Sequence, residues 1–155
     1  MRIRRPSKAL AAKVAARANG YCEYCASPVT VSLSSFCADH VYPYSLGGET
    51  DLANLAYACQ GCNSFKHLNL HARDLYTGRF VPLFNPRLMK WTEHFEWTDD
   101  YLRMVGITAI GRATVSRLQL NREAVCNVRR LLHLVRLHPP LQFTQQPRTD
   151  DTAIV

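Results

Sequence analysis

The sequence contains no apolar run long enough to cross a bilayer. A membrane-spanning helix needs about 18 or more consecutive apolar residues, and the 155 residues include no such stretch. The basic start is followed by an alanine-rich amphipathic segment instead of the short apolar core of a signal peptide. These absences predict a cytoplasmic protein with no membrane partner, whose cysteine thiols stay reduced.

Acidic residues are also scarce, at 12 against 19 basic ones, and the imbalance is uneven along the chain. Residues 1–19 carry six basic groups and no acid, whereas residues 20–70 carry one base and four acids. Residues 71–138 are basic again, with eleven bases and six acids. This order suits a polyanion bound around a divalent cation. A solvated basic surface without a partner is the other interpretation.

Four of the six cysteines form two Cys-x-x-Cys pairs, Cys22 with Cys25 and Cys59 with Cys62. One pair alone is also typical of a redox motif. Two pairs supply the four thiolates of a tetrahedral zinc site, and with every position filled by protein the ion stabilises the fold without taking part in chemistry. We therefore predict a structural Zn²⁺ site.

The segment between and after the two pairs has the pattern of a strand, a loop, a second strand and a helix. The strands are predicted at 35–41 and 52–58, and the helix at 62–70. Pro43 and Gly47-Gly48 interrupt regular pairing in the loop. The first predicted strand contains the dipeptide Asp39-His40, which a zinc module that only stabilises a fold does not need.

The chain resembles the HNH endonucleases in a series of spaced residues: Asp39-His40, Pro43, Gly47-Gly48, Asn54-Leu55 and Cys59-x-x-Cys62-Asn63-x-x-Lys66. The resemblance covers residues 20–70 and implies a ββα-metal core that hydrolyses DNA phosphodiester bonds. A less specific resemblance, over residues 83–132, is to an extension found in one group of bacterial HNH proteins.

The resemblance implies a role for four residues. His40 is the general base that takes a proton from water, and Asn54 holds the loop and helps to position His40. Asp39 and Asn63 are ligands of a catalytic Mg²⁺ or Mn²⁺. The third signature position of the family is commonly histidine and is Asn63 here, but an amide oxygen still binds a hard cation.

The expected partner is DNA, in its double-stranded form, and the oligomeric state is left open. Five basic residues are predicted to contact it: Lys66, Arg2, Arg4, Arg5 and Lys8. Two alternatives need no catalysis: a zinc module that binds nucleic acid through basic segments, and a zinc domain that binds protein through an aromatic hairpin.

The expected fold is a small α+β protein. Residues 1–138 are predicted to form one domain, with a core at 20–70, an extension at 71–138 and a disordered tail at 139–155. The flanking elements are a helix capped by Ser7, a hairpin of strands 91–97 and 101–108, a short helix at 111–118, and a last helix capped by Asn121 that runs to about Leu137. Four arginines are predicted off the apolar stripe of that last helix, facing DNA or solvent: Arg122, Arg129, Arg130 and Arg136.

Overall fold

The computed structural model describes residues 5–145 and confirms the α+β class. Within this range the five α-helices are α1 Lys8–Arg17, α2 Gln60–Lys66, α3 Trp91–His94, α4 Ala109–Arg117 and α5 Glu123–Leu134. The strands form three antiparallel pairs: β1 Cys37–His40 with β2 Leu55–Ala58, β3 His71–Arg73 with β4 Phe80–Pro82, and β5 Phe95–Trp97 with β6 Met104–Gly106. In the described part of the chain, every helix falls short of the length and apolarity that a membrane crossing needs.

Helix α1 begins where the sequence predicts it. The Ser7 hydroxyl oxygen accepts a hydrogen bond from the Leu10 amide at 3.2 Å, which satisfies one of the free amides of the first turn. Val14 is fully buried on the inner face of the helix. At the other end the Arg17 guanidinium donates to the Leu55 carbonyl at 2.5 Å, so α1 is tied to β2.

The predicted ββα unit is present as β1, β2 and α2. Strands β1 and β2 pair in antiparallel register with His40 opposite Leu55, and α2 follows β2 after one residue. The helix begins at Gln60, two residues earlier than predicted, because the Cys59 sulfur accepts from the Cys62 amide at 3.4 Å and caps it. The strands and helix of this unit therefore hold Asp39, His40 and the second cysteine pair in one small structure.

Two further hairpins follow the ββα unit. The hairpin of β3 and β4 has no counterpart in the sequence prediction, and it buries Ala72 and Val81 on its inner face. The hairpin of β5 and β6 was predicted, but its first strand is shorter. Residues 91–94, predicted as part of that strand, form helix α3, with Trp91 and Phe95 buried and Glu93 exposed between them.

The last helix differs from the prediction at both ends. Asn121 does not cap α5; its side chain accepts from the Met104 amide at 2.7 Å and donates to the Met104 carbonyl at 2.8 Å. This pair of bonds fastens the start of α5 to β6. The helix ends at Leu134, so Val135, predicted on the apolar stripe, lies beyond it and is 63% exposed.

The predicted disordered tail begins too early. Residues 141–143 form a 3₁₀ turn, and Phe143 is buried with its ring centroid 5.8 Å from that of Trp91. The Trp97 indole also donates to the Phe143 carbonyl at 2.7 Å. These contacts fasten the chain after α5 to the β5–β6 hairpin. The remainder of the predicted tail, from 146 onward, lies outside the described residues, and the division into domain and tail stays a prediction.

Candidate active site and metal centre

The four cysteines of the two pairs meet in a buried cluster. The Sγ atoms of Cys22, Cys25, Cys59 and Cys62 all lie within 4.8 Å of one another. A tetrahedron with Zn–S distances of about 2.3 Å has edges of about 3.8 Å, and the Sγ atoms of Cys25 and Cys59 are 3.7 Å apart. None of the four is in a disulfide. The donor set and its spacing fit a structural zinc ion, as the sequence predicts.

The electrostatics of the cluster favour the thiolate at Cys25 and Cys59 only: burial raises the pKa of Cys22, and contacts with the neighbouring thiols raise that of Cys62. The contact with the Cys22 thiol is the largest of the effects that lower the pKa of Cys59, to about 7. The pKa of Cys25 is also well below that of a free thiol, because it too accepts hydrogen bonds from neighbouring thiols. Zinc binds the deprotonated form of cysteine. The arrangement of the side chains thus lowers the free energy of deprotonation at Cys25 and Cys59.

Two arginines from the C-terminal segment complete this metal centre. Arg122, directly before α5, has Nη2 3.4 Å from Cys59 Sγ and Nη1 3.8 Å from Cys62 Sγ. A side chain at Gly61 would come within 2.5 Å of this guanidinium, so glycine is needed for its approach. Hydrogen bonds to coordinating sulfurs stabilise and orient metal ligands. Arg122, sixty residues from Cys62, was predicted to face DNA or solvent, and this contact corrects that prediction.

Arg129 is the second of these arginines, and its burial corrects the sequence prediction. It is 1% exposed instead of facing solvent or DNA. Its guanidinium donates to the Cys25 carbonyl at 3.0 Å and the Leu120 carbonyl at 2.9 Å, and it stacks on the Trp97 ring at 4.9 Å. The charge is thus compensated by backbone oxygens, and α5 is anchored to the first cysteine pair.

His40, the last residue of β1, is largely buried, with 8% of its surface exposed. Its Nε2 forms a hydrogen bond of 2.9 Å with Thr50 Oγ1, and its ring centroid is 5.8 Å from that of Tyr44. Burial lowers the pKa of His40, and the nearby Lys66 charge lowers it further, while Asp39 opposes both. The imidazole is therefore held in one orientation and favoured in its neutral form. Thr50 was not identified from the sequence.

Asp39, His40 and Asn63 line one cavity of about 350 Å³. The same three residues also line a second cavity of about 510 Å³, which extends to Arg5 beside α1. Asp39 comes from β1 and Asn63 from α2, directly after the cysteine cluster. Within residues 5–145, the side-chain amide of Asn63 and the second carboxylate oxygen of Asp39, Oδ1, have no hydrogen-bond partner. These hard oxygen donors fit a magnesium or manganese ion.

Lys66 lies beneath this site and does not reach solvent. Its ammonium donates to Asp39 Oδ2 and to the His40 carbonyl, both at 2.9 Å, and the residue is 2% exposed. The prediction that Lys66 contacts DNA is therefore wrong in this structure, because its charge is already paired inside the protein. Its position instead fixes one oxygen of Asp39 and the end of β1.

Replacing Lys66 with methionine is expected to lower the free energy of unfolding by about 3 kcal/mol, since it leaves the Asp39 carboxylate partly buried and unpaired. The measurement is urea unfolding of zinc-loaded protein. Lys13→Met, at an exposed position of α1, is the matched control and should change stability by less than about 0.5 kcal/mol. The double variant Lys66→Met/Asp39→Asn should recover part of the loss. Equal stability of the two single variants would show that the buried pair contributes nothing.

Asn54 holds the loop between β1 and β2. Its Oδ1 accepts from the Tyr42 amide, and its Nδ2 donates to the carbonyls of Tyr42 and Glu49, each at 2.9 Å. The backbone is so close here that a side chain at Gly48 would lie 1.9 Å from the Tyr42 carbonyl oxygen. Asn54 therefore acts on the backbone that carries His40 and Thr50, which makes it a positioning residue.

The basic residues predicted to contact DNA are only partly described. Arg5 and Lys8 are exposed at the start of α1, and Arg5 lines the larger cavity beside Asp39 and His40. Arg2 and Arg4 lie outside the described residues. The basic edge of the site thus includes Arg5, whereas Lys8 lines neither of the two cavities.

Comparison with known proteins adds a family. Residues 22–68 match the family model described as HNH endonuclease, over less than a third of the chain. No curated protein and no solved structure matches. The match begins at Cys22 and includes both cysteine pairs and the whole ββα unit. It indicates a nuclease-type or nucleic-acid-related function. Residues 22–68 of this chain are thus similar to the HNH endonuclease family.

Proposed function

We propose that this protein is a metal-dependent endonuclease that hydrolyses phosphodiester bonds of DNA. The observation that carries the proposal is the convergence of Asp39, His40 and Asn63 on one cavity, above a buried four-cysteine cluster. A module that only binds nucleic acid needs the cysteines and the basic segments. It does not need a histidine with a lowered pKa beside a carboxylate and an amide.

His40 serves as the general base. Its Nε2 and Thr50 Oγ1 are 2.9 Å apart; in the tautomer that we assign to the base, Nε2–H donates to Thr50 Oγ1 and Nδ1 carries the lone pair that accepts a proton. A base of this kind must be neutral at the working pH. The lowered pKa of His40, caused chiefly by burial, supports this protonation state.

Asp39 and Asn63 would hold the catalytic cation. A divalent ion bound there supplies a Lewis acid that stabilises negative charge on the scissile phosphate. Because the Lys66 ammonium donates to Asp39 Oδ2, the other carboxylate oxygen, Oδ1, is the one available to bind the cation. Phosphate and water oxygens would complete the coordination, as Mg²⁺ prefers.

The reaction is a displacement at phosphorus. Water gives a proton to His40 Nδ1 as its oxygen forms a bond to phosphorus, and the bond from phosphorus to the 3′ oxygen breaks. The leaving oxygen takes a proton from solvent, and His40 later releases its own. By analogy with the family, the products are a 5′-phosphate and a 3′-hydroxyl. Arg5 lies at the exposed edge of the larger cavity, where the substrate backbone would approach.

The proposal is tested by incubating the zinc-loaded protein with supercoiled plasmid, with and without added Mg²⁺ or Mn²⁺. We expect nicked or linear DNA only when one of these ions is present. Binding of a fluorescent duplex is measured in the same samples. Salt-sensitive binding with no cleavage under either ion would favour the non-catalytic zinc module instead, and the absence of both would overturn the assignment to DNA.

A further inference from the structure

A second basic surface lies outside the family match, between the β3–β4 hairpin and α4. We call it the hairpin groove, and it has a volume of about 360 Å³. The groove is lined by His71, Arg73 and Phe80 from the hairpin, by Ser116 and Arg117 at the end of α4, and by Gln119 just after that helix. No aspartate or glutamate is among its lining residues. The groove therefore has a positive wall on each side.

The strand register explains why the basic side chains face outward. Ala72 and Val81 are partners on the inner face and are buried against the core. Arg73 and Phe80 are also partners and are exposed, Phe80 at 71%. An exposed phenylalanine beside an exposed arginine is typical of surfaces that contact nucleic-acid backbone and bases.

The groove arginines differ from four other arginines of the protein. Arg17, Arg112, Arg122 and Arg129 all donate to carbonyl, carboxylate or sulfur atoms of the chain. Across residues 5–145, the guanidinium groups of Arg73 and Arg117 have neither a hydrogen-bond partner nor a salt bridge. Both are exposed. Their charges are available to a ligand.

The acid nearest in sequence to the groove is already neutralised. Asp74 is fully buried and accepts two hydrogen bonds from Arg112, at 2.9 and 2.8 Å. This ion pair holds the pKa of Asp74 well below its usual range. Arg112 also lies over the Tyr76 ring at 5.1 Å. The pair anchors the hairpin to α4 and leaves the groove with an excess of positive charge.

The hairpin groove lies next to the candidate active site along the chain. Leu68 lines the cavity that contains His40, and Asn69 and His71 line the groove. The Asn69 side chain donates to the Lys66 carbonyl at 3.0 Å, which fixes the connecting segment to the end of α2. Three residues span at most about 10 Å. That reach corresponds to roughly three nucleotides of a strand at 3.4 Å each.

We propose that the hairpin groove binds the phosphate backbone of the DNA flanking the cleaved bond. This inference rests on the proposed endonuclease function and adds the surface that holds the substrate on one side of it. Arg73 and Arg117 each contact a phosphate, and Phe80 contacts the sugar or base between them.

The test compares Arg73→Gln/Arg117→Gln with the matched control Arg103→Gln/Arg130→Gln, which removes the same charge from exposed positions outside the groove. Duplex affinity is measured by fluorescence anisotropy over a range of salt without added Mg²⁺. Each lost phosphate contact lowers the slope of log affinity against log salt by about 1. For the groove variant we expect the slope to fall by about 2 and the affinity to fall roughly tenfold. For the control variant we expect less than half of each of these changes.

Equal slopes for the two variants would overturn the groove assignment, even if the wild type cleaves plasmid. A selective loss of slope together with an inactive wild type would keep the groove and reject the nuclease. Matching circular dichroism and zinc content establish that both variants fold. Arg117→Gln alone, on α4, gives a second test with an expected slope change of about 1. The same measurement is made with a single-stranded oligonucleotide of equal length. An equal loss of slope with this oligonucleotide would show that the groove contacts the phosphates of one strand.

Discussion

Replacing His40 with alanine is expected to slow plasmid cleavage by about 10²–10⁴-fold, because a positioned general base contributes that much to rate. The neighbouring groups cannot substitute for it. Asp39 is already paired with Lys66, and the Thr50 hydroxyl is not a base at neutral pH. The rate is measured from the loss of supercoiled plasmid at saturating protein and Mn²⁺. Zinc content and DNA affinity should stay close to those of the wild type.

His133→Ala is the matched control. This histidine is exposed near the end of α5, where its Nδ1 forms a hydrogen bond of 2.9 Å with the His138 carbonyl, and its loss should leave cleavage within about twofold because nothing at the site depends on it. Thr50→Val tests the orientation of His40 separately. It should reduce the rate less than His40→Ala does, since it removes the hydrogen bond to Nε2 and keeps the imidazole. Cleavage by His40→Ala at the wild-type rate would contradict the assignment of His40 as the base.

Removing the metal from the cysteine cluster is expected to unfold the ββα unit. Structural zinc contributes about 10–16 kcal/mol of apparent binding free energy in zinc-finger peptides at neutral pH, and a typical domain is stable by about 5–15 kcal/mol. Losing the binding free energy of zinc would therefore remove most or all of the free energy of unfolding of such a domain. A chelator, or the variant Cys59→Ser, should therefore remove one equivalent of zinc and abolish the cooperative thermal transition that circular dichroism records for the loaded protein.

Cys126→Ser is the comparison for this second experiment. Cys126 is also buried, and its thiol contacts the Asn121 carbonyl at 3.4 Å, but it takes no part in the four-cysteine cluster. Its replacement should keep one equivalent of zinc and shift the transition by a few degrees only. If Cys59→Ser retained zinc and unfolded at the same temperature as Cys126→Ser, the cluster would not be a structural metal site.

The spacing of residues predicted those parts of the protein that depend on short-range rules. The Ser7 cap, the antiparallel strands β1 and β2, and the meeting of the two cysteine pairs follow from local preferences and from the number of ligands that zinc requires. Asp39 and His40 are adjacent in the chain, so their proximity could be predicted from the sequence alone. Asn63 approaches them because it follows Cys62 directly, and the cluster fixes that residue.

The segment from Trp91 to Trp97 shows why a pattern can fail. Trp91 and Phe95 are four residues apart, a separation that puts both on one face of a strand and on one face of a helix. The intervening Glu93 is the residue that distinguishes the two, since a strand would turn it toward Trp91. It is exposed while both aromatics are buried, so the chain is helical there. Aromatic packing with Trp97, at 5.4 Å from Trp91, is a tertiary effect that the sequence does not reveal.

Charged side chains were the main source of error at the site. Lys66 and Arg129 were both predicted to face DNA or solvent, because charged residues are seldom buried without partners. Their partners are distant in the chain: Asp39 lies 27 residues from Lys66, and the Cys25 carbonyl lies 104 residues from Arg129. Every residue has a backbone carbonyl, so a sequence does not show which carbonyls will accept hydrogen bonds from a buried arginine or lysine. The burial of such a side chain therefore cannot be recognised from residue types.

The two arginines from the C-terminal segment limit how far residues 22–68, the segment that matches the HNH family model, can be treated as an independent unit. Residues 22–68, excised or grafted into another protein, would keep all four sulfur ligands. They would lose the donors that Arg122 gives to Cys59 and Cys62 and that Arg129 gives to the Cys25 carbonyl. The boundary for engineering or for independent folding therefore lies beyond residue 129, and a chain shortened before α5 would hold its metal with fewer supports.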